Sequence, residues 1–130
     1  MIVVDASAML EVLLRTPDAH SVEERLFDPD ETLHAPHLLD VEVAQVLRRY
    51  AANGEIDSKR GGVALDDLAV FPMRRYPHDV LLPRVWELRN NLTAHDAVYV
   101  ALAEALGAPL LTRDRRLAGA AGHHATVELV

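Results

Sequence analysis

The sequence predicts an α/β domain whose central, mostly parallel sheet of about four to five strands is flanked by helices. Three observations predict it. Short apolar or β-branched runs recur at Ile2-Val3-Val4, Thr32 to Ala35, Leu110-Leu111-Thr112 and Thr126 to Leu129. Segments with helical periodicity separate those runs, the pattern of strands joined by crossover helices. The 130 residues are 50% hydrophobic, enough for one core, and no linker, repeat or low-complexity stretch divides them. Residues 1–130 are therefore expected to form a single domain.

Each element has a local reason. Ser7 to Leu14 follows the first strand as a helix. Thr16-Pro17 has the form of an N-cap with proline at the first helical position, so a second helix is expected through about Phe27. Asp28-Pro29-Asp30 is a turn, and Thr32 to Ala35 the second strand. Leu38 to Ala52 reads as a helix closed by Asn53-Gly54. Asp57 or Ser58 caps another through about Val70, weakened by Gly61-Gly62. Arg74 to Tyr76 is a short strand before Pro77, and Val80 to Arg89 is helical in pattern. Thr93 opens a strong helix through Leu106, stopped by Gly107 and Pro109. One or two helical turns from Arg115 to Ala120 lead to the last strand.

Composition excludes several classes. There is no cysteine, so disulfide scaffolds and every thiol or Cys-zinc mechanism are out. The longest apolar run, Ala97 to Ala103, is far shorter than the ~18 residues a membrane span needs. Asp5 interrupts the N-terminus before a signal peptide can form. The expected compartment is the cytoplasm. A net charge of −7 disfavours a general nucleic-acid coat, which would be basic. It leaves room for an enzyme that meets RNA or DNA only where carboxylates hold metal ions.

Four acids stand where chemistry is expected in such a sheet, at the carboxyl ends of the strands. Asp5 directly follows the first strand, and a helix N-cap explains it equally. Glu42 lies inside an apolar stripe, four residues from Leu38 and from Val46. A carboxylate there needs a counter-charge, a metal or a proton, unless it turns to solvent or to Arg49. Asp96 stands three residues after Thr93, which also spells a capping box. The helix behind it is apolar nearly all round, hence central and sheltered. Asp114 follows Leu110-Leu111-Thr112 and can equally cap the turn at Arg115. Taken together, the four belong to one sheet edge. Converging carboxylates raise one another's pKa and are stable together when they hold hard divalent cations such as Mg²⁺ or Mn²⁺.

Other candidates are weaker. His34 and His37, and the adjacent His123-His124, lack a zinc spacing or a third ligand. A histidine-pair ribonuclease, which would leave cyclic phosphate ends, is disfavoured on the same residues. Trp86 and Tyr99 are expected in the core or at its rim rather than as base-stacking platforms. Arg113, Arg115 and Arg116 flank Asp114 and are candidates to hold an RNA backbone, unless they face solvent or pair with Glu11 or another acid.

Three ordered stretches together resemble a PIN domain of the VapC type, the toxin ribonuclease of a toxin–antitoxin pair. They are Val3-Val4-Asp5-Ala6-Ser7-Ala8, His95-Asp96-Ala97-Val98-Tyr99-Val100-Ala101-Leu102-Ala103 and Leu111-Thr112-Arg113-Asp114-Arg115-Arg116-Leu117. Glu42 stands where that family has its second acid. The resemblance implies a PIN-like fold and a Mg²⁺- or Mn²⁺-dependent endoribonuclease cutting RNA such as tRNA or rRNA. It implies that Asp5, Glu42, Asp96 and Asp114 form the metal pocket, with Asp5 and Asp96 the most direct ligands and Ser7 and Thr112 in support. A homodimer and a small VapB-type antitoxin, whose basic side chains block the pocket, are implied as well. Such ions acidify water for in-line attack on a phosphodiester, and the pattern accommodates one ion or two. Two rival readings remain. One is a PIN-fold binding module that does not cleave. The other is a Mg²⁺-dependent receiver or phosphatase-like domain, although Asp5-Ala6-Ser7 lacks the second aspartate such phosphatase loops often carry.

Overall fold

Strand order explains where chemistry can sit in this chain. The computed structural model describes residues Met1–Val130. Strands β1 (Ile2–Val4), β2 (Leu33–Pro36), β3 (Arg74–Tyr76), β4 (Leu110–Thr112) and β5 (Val127–Leu129) form one sheet in the order β3-β2-β1-β4-β5. Every neighbouring pair is parallel. The chain first builds outward from β1 to β2 and β3, then returns to the other side of β1 with β4 and β5. The direction of winding therefore reverses between β1 and β4. In open parallel sheets a crevice lies at that point, beyond the carboxyl ends of the strands.

β1, β2 and β4 are buried throughout, as central parallel strands covered on both faces must be. The edge strands β3 and β5 are only partly buried. Helices α1 (Ala6–Leu13), α2 (Ala19–Leu26), α3 (Leu38–Ala52), α4 (Ser58–Val70), α5 (Leu82–Glu87), α6 (Ala94–Leu106) and α7 (Arg115–Ala118) complete the fold. In α6 the run from Ala97 to Ala103 is wholly buried, so this helix has no solvent face along its middle. It shares one continuous core with β1, β4, α1 and α3. Full burial of each large aliphatic side chain contributes about 1.5–3 kcal/mol. That core therefore fixes the first turn of α6 against the ends of β1 and β4.

The caps explain the helix ends. Asp57 accepts from Arg60 N at the start of α4. The Thr93 hydroxyl accepts from Asp96 N, and Gly107 ends α6 in the left-handed region at φ 61°. Two expected starts move. α2 begins at Ala19 rather than Pro17, because the Thr16 hydroxyl bonds back to Glu11 and Thr16 O receives the Ala19 N–H in a turn. The helical stretch expected from Val80 to Arg89 is split into a 3-10 turn, Asp79–Leu81, and the short α5. Pro83 explains the restart, since proline is tolerated only in the first turn of a helix. No helix is long and apolar enough to cross a membrane.

Candidate active site

Asp5 leaves the end of β1 with extended backbone, and its N–H donates to Leu111 O of β4 at 3.2 Å. Its carboxylate is buried and takes three hydrogen bonds. Oδ1 accepts from Ser7 Oγ at 2.7 Å and from the Ala8 N–H at 3.0 Å, and Oδ2 accepts from Thr112 Oγ1 at 2.5 Å. The direction of the two hydroxyls is forced. Ser7 Oγ accepts the Arg113 N–H at 2.9 Å and Thr112 Oγ1 accepts the Asp114 N–H at 3.0 Å. A backbone N–H can only donate, so each hydroxyl hydrogen goes to Asp5. A carboxylate has about four acceptor sites; three are filled from within the protein, and one on Oδ2 is left for something else.

The other acids gather around this point. Asp114 caps α7, its Oδ1 accepting from Arg116 N at 2.9 Å and Leu117 N at 3.4 Å. Asp96 sits in the first turn of α6, but its carboxylate does not complete a capping box. It accepts instead from Arg116 Nη2 at 2.9 Å, and the same nitrogen lies 3.4 Å from Asp114 Oδ2. Glu42 projects from α3 and accepts from the Tyr99 hydroxyl of α6 at 2.5 Å. It turns inward, away from Arg49. Burial pushes the Asp5 carboxyl above the usual carboxylate range, against the lowering effect of its hydrogen bonds, and the Asp114 charge adds to the rise. Burial likewise pushes Glu42 up; Tyr99 and His95 oppose it, while the charges of Asp5 and Asp96 add to it. The four carboxylates thus feel one another across a single sheet edge. Two of them also serve as caps, so capping and clustering are both true of Asp5 and Asp114.

The basic residues divide. Arg113 spends its guanidinium inside the protein, donating to Val130 O at 2.6 Å and pairing with Asp18 and Glu11. Its guanidinium thus has partners within the chain, including the Glu11 that the sequence suggested. Arg115 is exposed. Arg116, largely exposed along its length, puts its tip between Asp96 and Asp114. The histidines of the two pairs do not come together as a ligand set. His34 is buried between Thr32 and Tyr76 hydroxyls at 2.8 and 2.6 Å, His37 lies edge-on to His78, and His123 accepts from the Ala125 N–H. Trp86 departs from its expected place in or beside the core: it is exposed, with the Arg89 guanidinium 4.6 Å from its ring centre.

The PIN domain profile matches residues 2–122 of this chain. The chain belongs to the PIN-domain family. Among curated relatives of this PIN domain, Ribonuclease VapC12 of Mycobacterium tuberculosis is 44% identical over 130 residues, covering all of this chain and 99% of the relative. Ribonuclease VapC1 of the same organism is 43% identical over 129 residues, 98% of this chain and 96% of that one. Among solved structures, PAE2754 from Pyrobaculum aerophilum superposes with a TM-score of 0.74 at 24% identity, covering 97% of this chain and 81% of that one. VapBC2 from Rickettsia felis, solved bound to a DNA fragment from its promoter, superposes at 0.71 and 14% identity, over 100% and 99% of the two chains. These two likenesses are of fold.

The residues of this PIN domain fit a hard divalent cation. No group of three or more Asp, Glu or His side chains is arranged here to hold a metal ion, and Mg²⁺, which keeps several waters, needs only one or two carboxylates. Asp5 keeps an open acceptor site. A cationic nitrogen, Arg116 Nη2, already stands between Asp96 and Asp114 as a counter-ion. The donor set is all oxygen, as Mg²⁺ or Mn²⁺ prefers. Tyr99 is the residue that sequence reading placed in the core without a task. The available signal was a phenol in an otherwise apolar helix, three residues after Asp96, since buried tyrosine hydroxyls require a partner.

Proposed function

We propose that this chain is a divalent-cation-dependent endoribonuclease, the toxin half of a VapBC-type toxin–antitoxin pair. The observation that carries the reading is the meeting of Asp5, Glu42, Asp96 and Asp114 at the carboxyl edge beside β1 and β4. The 44% identity to a protein named as a VapC ribonuclease supports it along the full length.

Mg²⁺ or Mn²⁺, when bound, supplies an acidified water and neutralises charge on the phosphodiester. The protein's own residues do the rest. Asp5 would offer its open oxygen site to the ion while Ser7 and Thr112 hold it in place, and Asp96 would be the second direct ligand. Glu42 and Asp114 complete the negative pocket. Arg116 leaves its place between Asp96 and Asp114 and, with Arg115, faces the phosphates of the incoming RNA. The antitoxin is a small VapB-type protein whose basic side chains take the position that Arg116 occupies here. The enzyme works in the cytoplasm, as a homodimer.

The test uses purified chain freed of antitoxin and a panel of structured RNAs with Mg²⁺ or Mn²⁺. Cleavage is expected to leave 5′-phosphate ends and no cyclic phosphate, and to stop with EDTA. RNA left intact with both metals, or cut equally well in EDTA, would overturn the reading. RNA that is bound tightly but never cut would favour the non-cleaving module instead.

A further inference from the structure

Glu42 differs from the other three acids in how it is held. Asp5 and Asp114 are fixed by the helix starts they cap, and Asp96 is gripped by Arg116. Glu42 lies within α3, has a longer and more mobile side chain, and has one side-chain hydrogen bond, from Tyr99.

Tyr99 is 2% exposed in the wholly buried part of α6. Its hydroxyl makes one side-chain hydrogen bond, to Glu42 of α3. The hydroxyl hydrogen is donated to Glu42 Oε1, 2.5 Å away, since a carboxylate oxygen accepts. That one hydrogen bond ties α6 to α3 beneath the acids.

We propose that Tyr99 is a positioning residue that holds Glu42 turned toward Asp5 and Asp96, so that Glu42 takes part in cation binding. The proposal rests on reading the acidic edge as a divalent-cation site. Removing only the hydroxyl leaves the ring in the core and lets Glu42 swing away.

The test is calorimetric titration of RNA-free protein with Mn²⁺, with thermal melting as the check on folding. Tyr99→Phe is expected to bind Mn²⁺ about tenfold more weakly and to lower kcat by about tenfold with KM for RNA unchanged, the usual scale for a residue supporting a ligand. In a Glu42→Ala background, Tyr99→Phe should cost nothing further. Glu42→Asp keeps all the charge but draws the carboxylate back from Tyr99, and should weaken Mn²⁺ binding similarly. It also decides the matter if Tyr99→Phe does not fold. Wild-type affinity in either Tyr99→Phe or Glu42→Asp overturns the proposal, as does full additivity of Tyr99→Phe with Glu42→Ala. If Asp5→Asn and Asp96→Asn lose Mn²⁺ while Tyr99→Phe does not, the Tyr99 proposal alone falls. If those two aspartate variants bind like wild type, the cation site falls and takes this proposal with it.

Discussion

At the start of β1 the Met1 ammonium donates to Glu31 at 2.9 Å, and Arg25 grips Glu128 of β5 through two nitrogens at 3.0 and 3.1 Å while reaching Glu31 at 3.4 Å. Beyond the other end of the same strand, Asp5, Glu42, Asp96 and Asp114 have Arg116 as their one arginine partner, with His95 near Glu42. In the first cluster two carboxylates meet two cations. In the second, four carboxylates meet one. The consequences are opposite in sign. A hydrogen bond from the N-terminal ammonium holds Glu31 below the usual carboxylate range, whereas burial lifts Asp5 and Glu42 above it. The chain can balance its acids where they only hold shape. Burial, with a smaller contribution from the neighbouring carboxylates, makes the charged form costly at the carboxyl edge, and a bound divalent cation would lower that cost.

The largest expected contrast is in activity. Asp5→Asn or Asp96→Asn should lower RNA cleavage by at least about 100-fold while the protein stays folded, because changes to residues that only support a metal ligand typically cost 10–100-fold. Glu31→Gln should leave cleavage unchanged. Assays of the three purified variants check this, and equal losses in all three would erase the distinction between the clusters.

Next comes the pH dependence of cation stabilisation. The folded-state pKa of Asp5 and Glu42 is raised, so their contribution to stability is present below the ordinary carboxylate range and lost as pH rises through the raised values. For Glu31 the pKa is lowered; its contribution is present above the ordinary range and lost as pH falls through the lowered value. Mg²⁺ at 100 times its Kd should therefore add about 2.7 kcal/mol near neutral pH and much less in acid. Melting curves at both pH values measure it. Equal stabilisation at both would mean that the cation binds elsewhere.

Smaller effects follow. Ser7→Ala removes one of the two hydroxyls that orient Asp5 and should cost about tenfold in cleavage. Arg116→Ala removes the competing cation and should tighten Mn²⁺ binding by roughly two- to fivefold, the scale of an exposed ion pair. Glu31→Gln should lower stability by about 0.5–1 kcal/mol, since Met1 is half exposed and its pair is screened. Chemical denaturation reads that last value.

The sequence carried the fold where the signal was local. Asp57 as a cap, Asn53-Gly54 after α3, Thr93 and Gly107 bounding α6, and the apolar runs of β1 and β4 each act within a few residues. The shared edge followed from topology, because Asp5 and Asp114 lie within two residues of the ends of parallel neighbours. What stayed hidden lies in long-range partners. Nothing near Arg113 says that its guanidinium is used by Val130 and Asp18 while Arg116, three residues on, reaches Asp96. Arg25 and Glu128 are 103 positions apart. The hydroxyl of Tyr99 meets Glu42 across 57 residues. Hydrophobic patterning places a tyrosine in a core but does not say where its oxygen points.

The unbalanced carboxyl edge is tested most directly by an anomalous difference map from crystals of the chain grown with saturating Mn²⁺. The expected result is a Mn²⁺ peak in contact with Asp5 and Asp96, with the Arg116 guanidinium withdrawn from between Asp96 and Asp114. A map with no peak at that edge, and Arg116 still bridging both carboxylates, would contradict it.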